Sequence, residues 1–291
     1  MGDLPSWFRQ QLPDATALGR MRGVLKAHAL HTVCEGARCP NTGRCWAKRT
    51  ATFMILGDAC TRACRFCAVK HADPSSLDQD EPRRIAAAVK ELGLKYVVLT
   101  SVTRDDLPDE GAGHFAQTVR CVKEISAGIK VEVLVPDFSA RRECFEVVAA
   151  AGPDVIGHNL ETVRRISGAL RPQADHDRSL LALRMLRQVP GEHLVKSGLM
   201  VGLGETDTEV LQALAELQKA GCDIVTVGQY LAPQADGRQV PVDRFVDPSV
   251  FEMYRREGLA TGLRQIFSGP LVRSSFMADE VYSTALEGAS I

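Results

Sequence analysis

At 291 residues the chain has room for one large α/β domain or two small ones. Hydrophobic residues make up 45% and charged residues 24%, the balance of an ordinary globular protein, and no run approaches the ~20 apolar residues of a membrane helix. Thirty-five Lys and Arg against 36 Asp and Glu leave a net charge of −1, so bulk electrostatics supports neither a nucleic-acid nor a membrane partner.

In chain order, the first 50 residues show no strand–helix alternation but carry Cys34, Cys39 and Cys45. From there, apolar β-branched runs predict strands at 52–56, 96–100, 130–135, 154–156, 195–201 and 224–227. Helical patterns at 82–92, 114–125, 140–151, 177–188 and 208–220 lie between them. In the last, Val210, Leu211, Leu214, Leu217 and Ala220 recur every three or four residues, one buried face of a helix. Gly93, Gly152 and Gly221 stand where helix C-caps belong. Six β-then-α units in series predict an α/β fold, a partial (β/α)6 TIM-like barrel over 51–262. Residues 1–50 and 263–291 are expected to be N-terminal and C-terminal extensions that close the barrel's ends within one compact unit.

Such barrels gather their chemistry on the loops after the C-terminal ends of the strands. Cys60, Cys64 and Cys67 follow the first strand, and Thr100, Ser101, Asp105 and Asp106 the second. Asp137 follows the third, His158, Asn159 and Glu161 the fourth, Gly202, Gly204 and Glu205 the fifth, and Gln229 and Tyr230 the sixth. Polar residues therefore recur where one pocket would form.

Six of the nine cysteines form two triplets, Cys34/Cys39/Cys45 and Cys60/Cys64/Cys67. Three thiolates hold three corners of a cubane iron–sulfur cluster and leave its fourth iron open, so two triplets suggest two clusters with different jobs. Zinc sites favour paired Cys units or Cys with His at fixed offsets, which His28, His31 and His71 do not meet. An odd number of thiols and the lack of a signal-peptide pattern speak against disulfides. Thiols meant for iron also fit a reducing cytosol, so the chain is expected to be cytoplasmic. Cys121, Cys144 and Cys222 lie singly among apolar residues and read as structural.

The Cys60/Cys64/Cys67 spacing, with aromatic Phe66 before the last thiol, resembles the signature of the radical S-adenosylmethionine superfamily. The resemblance implies a 4Fe–4S cluster whose open iron binds S-adenosylmethionine and delivers one electron, releasing a 5′-deoxyadenosyl radical. Cofactor contacts are then expected at Phe66, Thr100, Ser101, Asn159, Glu161, Arg171, Gly202 and Gly204. Gly202 and Gly204 would admit close backbone approach, although a tight turn explains them equally. Asn159 and Glu161 would bind ribose hydroxyls or the methionine amine, or else cap a helix starting near Thr162. Arg171 and Lys196 are candidates for holding a carboxylate, with solvated surface cations as the other reading. For Arg20, Arg22 and Lys26 a solvated helix face is preferred over a docking surface.

The first triplet, with spacings of four and five residues, is similar to the auxiliary-cluster motif of the lipoyl synthase family. The likeness continues through residues 51–57, 100–107, 133–138, 158–161, 196–206, 228–231 and 269–275. It implies a second 4Fe–4S cluster on Cys34, Cys39 and Cys45, with the Ser275 hydroxyl as fourth ligand. The neighbouring Ser274 is given no role, and Phe276 stands where the family usually has Tyr. The activity implied is radical insertion of two sulfur atoms at carbons 6 and 8 of a protein-bound octanoyl-lysine. The auxiliary cluster would be the sulfur donor, with two S-adenosylmethionine molecules used per lipoyl group. Partners implied are octanoylated lipoyl-carrier domains (2-oxoacid dehydrogenase acyltransferase subunits and the glycine cleavage H protein), an electron donor such as flavodoxin or ferredoxin, and an iron–sulfur carrier protein. Competing readings are another two-cluster radical enzyme, an iron–sulfur electron-transfer protein and a zinc-stabilised structural protein.

Overall fold

A computed structural model describes residues 4–9, 15–37, 39–48, 50–233 and 237–287, so the extreme ends of both extensions lie outside the described residues. Its strands in chain order are β1 (His31–Thr32), β2 (Ala51–Ile55), β3 (Ala59–Cys60), β4 (Lys70–His71), β5 (Tyr96–Ser101) and β6 (Lys130–Leu134). They continue with β7 (Val155–Gly157), β8 (Leu194–Val201), β9 (Ile224–Gln229) and β10 (Gln265–Gly269). The helices are α1 (Ala15–Ala27), α2 (Val33–Gly36), α3 (Thr42–Ala47), α4 (Glu81–Leu92), α5 (Ala112–Ile125) and α6 (Arg142–Ala149). Then come α7 (Arg164–Leu170), α8 (His176–Gln188), α9 (Asp207–Lys219), α10 (Pro248–Ala260) and α11 (Ala278–Glu287).

One sheet runs in the order β1-β2-β5-β6-β7-β8-β9-β10, parallel throughout except for β1, which pairs antiparallel with β2. The six expected strands are all present, and β10 adds a seventh parallel strand in the segment expected to lie outside the repeat. Its sequence, Gln-Ile-Phe-Ser-Gly, has a single β-branched residue and gives no periodic signal; the open edge of β9 recruits it. Every residue of β2 and β9 is buried, as in parallel sheets covered on both faces.

Local chemistry sets the helix boundaries. Thr206 and Glu209 form a reciprocal capping box at the start of α9, and Gly93 ends α4 in the left-handed region at φ 64°. Asp247 caps α10 just ahead of Pro248. The helix expected from 140 begins instead at Arg142, because Phe138, Ser139 and Ala140 all take positive φ. Such residues cost about 1–3 kcal/mol each. Phe138 offsets part of that, being fully buried edge-on against Phe115 and Phe145.

Of the two extensions expected to close the barrel's ends, the C-terminal one covers an end and the N-terminal one lies along the side. Val281 and Ala285 of α11 pack on Val155, Leu194 and Ile224, the first residues of β7, β8 and β9, while Ala278 and Tyr282 cover Tyr96, the first residue of β5. Helix α11 is therefore a plug under the N-terminal ends of the strands. The N-terminal extension lies along the free edge, where β1 joins β2 and α1 packs on α3 and α4.

Candidate active site at the mouth of the barrel

The opposite end of the barrel holds a cavity of about 650 Å³. Cys60, Cys64, Phe66 and Cys67 line it, together with Cys34 and Cys39 of the N-terminal extension and Ser275. A small adjoining pocket brings Cys45 together with Cys34, Cys39, Ser275 and Phe276. Both triplets thus converge on one space, with Ser275 beside the first.

The second triplet hangs on a turn after β2. Leu56 there has φ 70°; its N–H donates to Glu81 Oε2 (2.8 Å) and its carbonyl accepts from Arg104 Nη1 (3.2 Å). Beyond it, Cys60 Sγ accepts from the N–H of Thr103 (3.2 Å) and of Arg62 (3.5 Å), and Cys67 Sγ from that of Val69 (3.4 Å). Backbone N–H groups aimed at sulfur tune iron–sulfur centres. Burial pushes the thiols of Cys34 and Cys39 up, those of Cys45 and Cys64 to about 12 and that of Cys67 to about 11. Metal-free thiols in this state keep their protons at neutral pH, and a metal must displace them on ligation. Among the described residues no three His, Cys, Asp or Glu side chains close tightly around a single ion. A cubane gives each thiolate its own iron, so thiols spread over the wall of a roomy cavity fit a cluster.

Thr100, Ser101, Asn159, Glu161 and Arg171 line the same cavity. Asn159 Nδ2 donates to Glu161 Oε1 (3.1 Å) and to Ser274 Oγ (2.7 Å), joining the loop after β7 to the C-terminal segment. Neither residue caps a helix: α7 starts at Arg164, and its N-cap Val163 offers no side-chain bond. Burial raises the Glu161 carboxyl, opposed by Arg171 and Asn159. Arg171 is itself buried, its Nη1 donating to the Leu160 carbonyl (3.0 Å) and Ser179 Oγ (3.3 Å).

Gly202 and Gly204 are not brought to the cavity wall. The N–H groups of Gly202 and Leu203 both donate to the Glu205 carboxylate (2.7 and 2.9 Å), and a Cβ on Gly202 would fall 2.1 Å from Gln229 Nε2. This glycine serves a tight turn packed on its neighbour strand. Gln229 and Tyr230 are likewise structural, tying down the chain at Arg244, Val246 and Val240. Lys196 is no surface cation: its Nζ pairs with Glu132 Oε1 (2.7 Å) inside the barrel, where Tyr96 Oη donates to Glu132 Oε2 (2.8 Å). Arg22 pairs with Glu35, and Arg20 donates to the Glu91 carbonyl, on an exposed helix face. Cys144 and Cys222 are buried and Cys121 is half-buried on α5, in keeping with packing roles.

Ser274 has no signal in the sequence; its contact with Asn159, 115 positions away, ties it to the site. Gly228 lets its segment cross the barrel, since a Cβ there would stand 2.0 Å from the Val272 carbonyl oxygen. Phe276 lies under the Arg44 guanidinium, 5.3 Å from ring centroid, a contact that needs no phenolic hydroxyl.

Comparison with known proteins places this geometry. The Radical SAM superfamily model matches residues 54–217, more than half of the chain. The lipoyl synthase of Pyrobaculum calidifontis is 51% identical over 282 residues, covering 96% of each chain. That of Caldanaerobacter subterraneus is 49% identical over 281 residues, covering 97% of this chain and 98% of its own. The Thermus thermophilus lipoyl synthase is 48% identical over 285 residues, covering 97% and 88%. The chain belongs to the lipoyl synthase family. Membership brings a 4Fe–4S cluster and S-adenosylmethionine. Crystal structures of methylornithine synthase (TM-score 0.57, 17% identity, 93% of this chain and 79% of that one) and of the maturase HydG (0.56, 17%, 82% and 62%) share the fold. No helix among the described residues is long and apolar enough to cross a membrane.

Proposed function

We propose that this chain inserts two sulfur atoms, at carbons 6 and 8, into an octanoyl chain carried on a lysine of a lipoyl-carrier domain. The observation that carries the reading is the convergence of both cysteine triplets on one cavity and the small pocket adjoining it. Cys60, Cys64 and Cys67 would hold the resident 4Fe–4S cluster. When bound, that cluster with S-adenosylmethionine supplies a carbon-centred radical able to take hydrogen from a saturated carbon, which no side-chain base can deprotonate. Asn159, Glu161 and Arg171 line the wall with groups suited to ribose hydroxyls, an ammonium and a carboxylate, and Ser274 holds Asn159 in place.

The second cluster is a substrate on this reading, the sulfur donor. Cys34, Cys39 and Cys45 would hold it, with Ser275 as the fourth ligand. An alkoxide is a hard ligand among soft thiolates and the easiest to displace as the cluster comes apart. The cavity's remaining wall includes Met54, Val98, Leu134 and Met200, an apolar surround that suits an acyl chain and keeps water from a radical. Octanoylated acyltransferase domains and glycine cleavage H protein are the proposed carriers, flavodoxin or ferredoxin the reductant, and an iron–sulfur carrier the source of new clusters, all in the cytoplasm.

The test is anaerobic mass spectrometry of an octanoyl-lysine peptide incubated with reconstituted protein, reductant and S-adenosylmethionine. A product with two added sulfurs and about two deoxyadenosines per peptide is expected. Deoxyadenosine without sulfur transfer would overturn the substrate assignment, and no deoxyadenosine at all would overturn the radical chemistry.

A further inference from the structure

Asp105 and Asp137 follow the second and third barrel strands, where acidic side chains would be expected to face the cavity. Neither lines it. Both turn instead onto Arg62, the residue midway between Cys60 and Cys64. Arg62 Nε and Nη2 donate to the two Asp105 oxygens (2.9 and 2.7 Å), and Nη1 and Nη2 donate to the two Asp137 oxygens (3.1 and 2.8 Å). One guanidinium is therefore held two-pronged by carboxylates from two different strand ends, with its side chain 7% exposed and that of Asp137 0%. Burial works against the charge on Asp137, yet Arg62 holds its carboxyl well below the ordinary range, so the pair is ionised at neutral pH.

The surroundings are built around this grip. The left-handed run Phe138, Ser139 and Ala140 immediately follows Asp137, whose Oδ1 also accepts the Ser139 N–H (3.3 Å). Arg178 of α8 backs Asp137 through Nε (2.9 Å) and donates to the Gln173 carbonyl through Nη2 (2.8 Å). Gln173 in turn accepts the Ala63 N–H (3.0 Å), and Thr61 Oγ1 donates to Asp105 (2.9 Å). Thr61, Arg62 and Ala63, all three residues between the first two thiols, are thus tied to the loops after β5 and β6 and ahead of α8, through the side chains of Asp105, Asp137 and Gln173.

We infer that Arg62 is the positioning residue for the radical cluster: through Asp105 and Asp137 it fixes the Cys60–Cys64 span so that the open iron faces the S-adenosylmethionine wall. The inference rests on the reading of Cys60, Cys64 and Cys67 as cluster ligands. A lysine cannot reproduce the grip, because its single nitrogen has three donors and no planar fork to make four paired bonds.

The experiment uses the full, anaerobically reconstituted chain and electron paramagnetic resonance of the reduced protein with and without S-adenosylmethionine. The difference between the two spectra isolates the cluster with the open iron, and the other cluster is an internal reference for folding. Arg62→Gln and Arg62→Lys are expected to keep the reference signal, shift the g values of the responding cluster and weaken S-adenosylmethionine binding about 10- to 100-fold. Asp105→Asn should fall between them and the parent. Should Arg62→Gln fail to fold, Arg62→Lys and Asp105→Asn decide by the same readout. Parent-like difference spectra and affinity in those variants would overturn the inference. Cys64→Ala separates the two levels: if it keeps the parent's difference spectrum, the cluster assignment itself fails, whereas if it alone loses that spectrum, only the role of Arg62 fails.

Discussion

Burial at the cavity wall acts strongly on His158, a residue given no role by its motif. It is 4% exposed, its Nδ1 lies 3.0 Å from the Val135 carbonyl and its Nε2 has no partner among the described residues. Burial pulls its pKa down to about 4, helped by Arg171 and Arg62 and opposed by Asp137 and the Val135 carbonyl. The folded state therefore binds fewer protons than the unfolded chain between pH 6.5 and 4, and stability falls as pH falls through that window. The full term is about 3 kcal/mol by linkage. Urea titrations of the metal-free chain at pH 7 and pH 4 should show the loss, and His158→Gln should remove most of it; an unchanged acid limb would show that other groups carry it. The two serines also separate at this scale. Ser275→Ala should impair sulfur insertion more than S-adenosylmethionine cleavage. Ser274→Ala, which the sequence alone marks as a mild control, should instead weaken S-adenosylmethionine binding by freeing Asn159. A deoxyadenosine assay run beside the product assay distinguishes them: equal loss of both activities in Ser275→Ala would count against its role as a ligand.

Among the elements, β6 and β8 are joined across the short β7 by the Glu132–Lys196 pair, with both side chains under 5% exposed. Gly157 of β7 makes room, since a Cβ there would sit 3.3 Å from the Lys196 carbonyl oxygen. Breaking such a pair strands a buried charge. Lys196→Met should cost about 3–5 kcal/mol, with the Glu132→Gln, Lys196→Met double variant recovering part of it. Equilibrium denaturation of both proteins would check this, and a double variant no better than the single would remove the charge from the explanation. At the start of α9, Thr206→Ala should cost only about 1 kcal/mol, because it loses one cap bond at an exposed site.

For the whole molecule, the barrel is closed below by α11 and flanked by the N-terminal extension, so the cavity exists only when three stretches of chain are assembled. On the proposed ligand sets, iron bound at the triplets of the folded chain should raise the melting temperature of the reconstituted protein over its metal-free form. Calorimetry of the two forms, with Cys45→Ala giving a smaller gain than the parent, is the check; equal gains would remove Cys45 from the ligand set.

The strand–helix rhythm and both cysteine triplets were legible in the sequence because each depends on neighbours: periodicity buries one face of an element, and ligand spacing is set by a short loop. Residues 265–269 were not legible, since their pairing with β9 comes from an open sheet edge rather than from pattern. The same holds for polar residues after the strands. Composition cannot say whether Asp105, Asp137, Lys196, Gly202 or Gln229 faces a ligand or a partner in the fold, and here each is taken by the fold. Ser274 and Asn159, and Arg62 with its two carboxylates, are separated by 43 to 115 positions. Sequence by itself determined the spacing of the two cysteine triplets and the order of the first six barrel strands. Tertiary structure decided which polar groups reach the cavity, because a buried polar group must find a hydrogen-bond partner and only packing determines which partners come within reach.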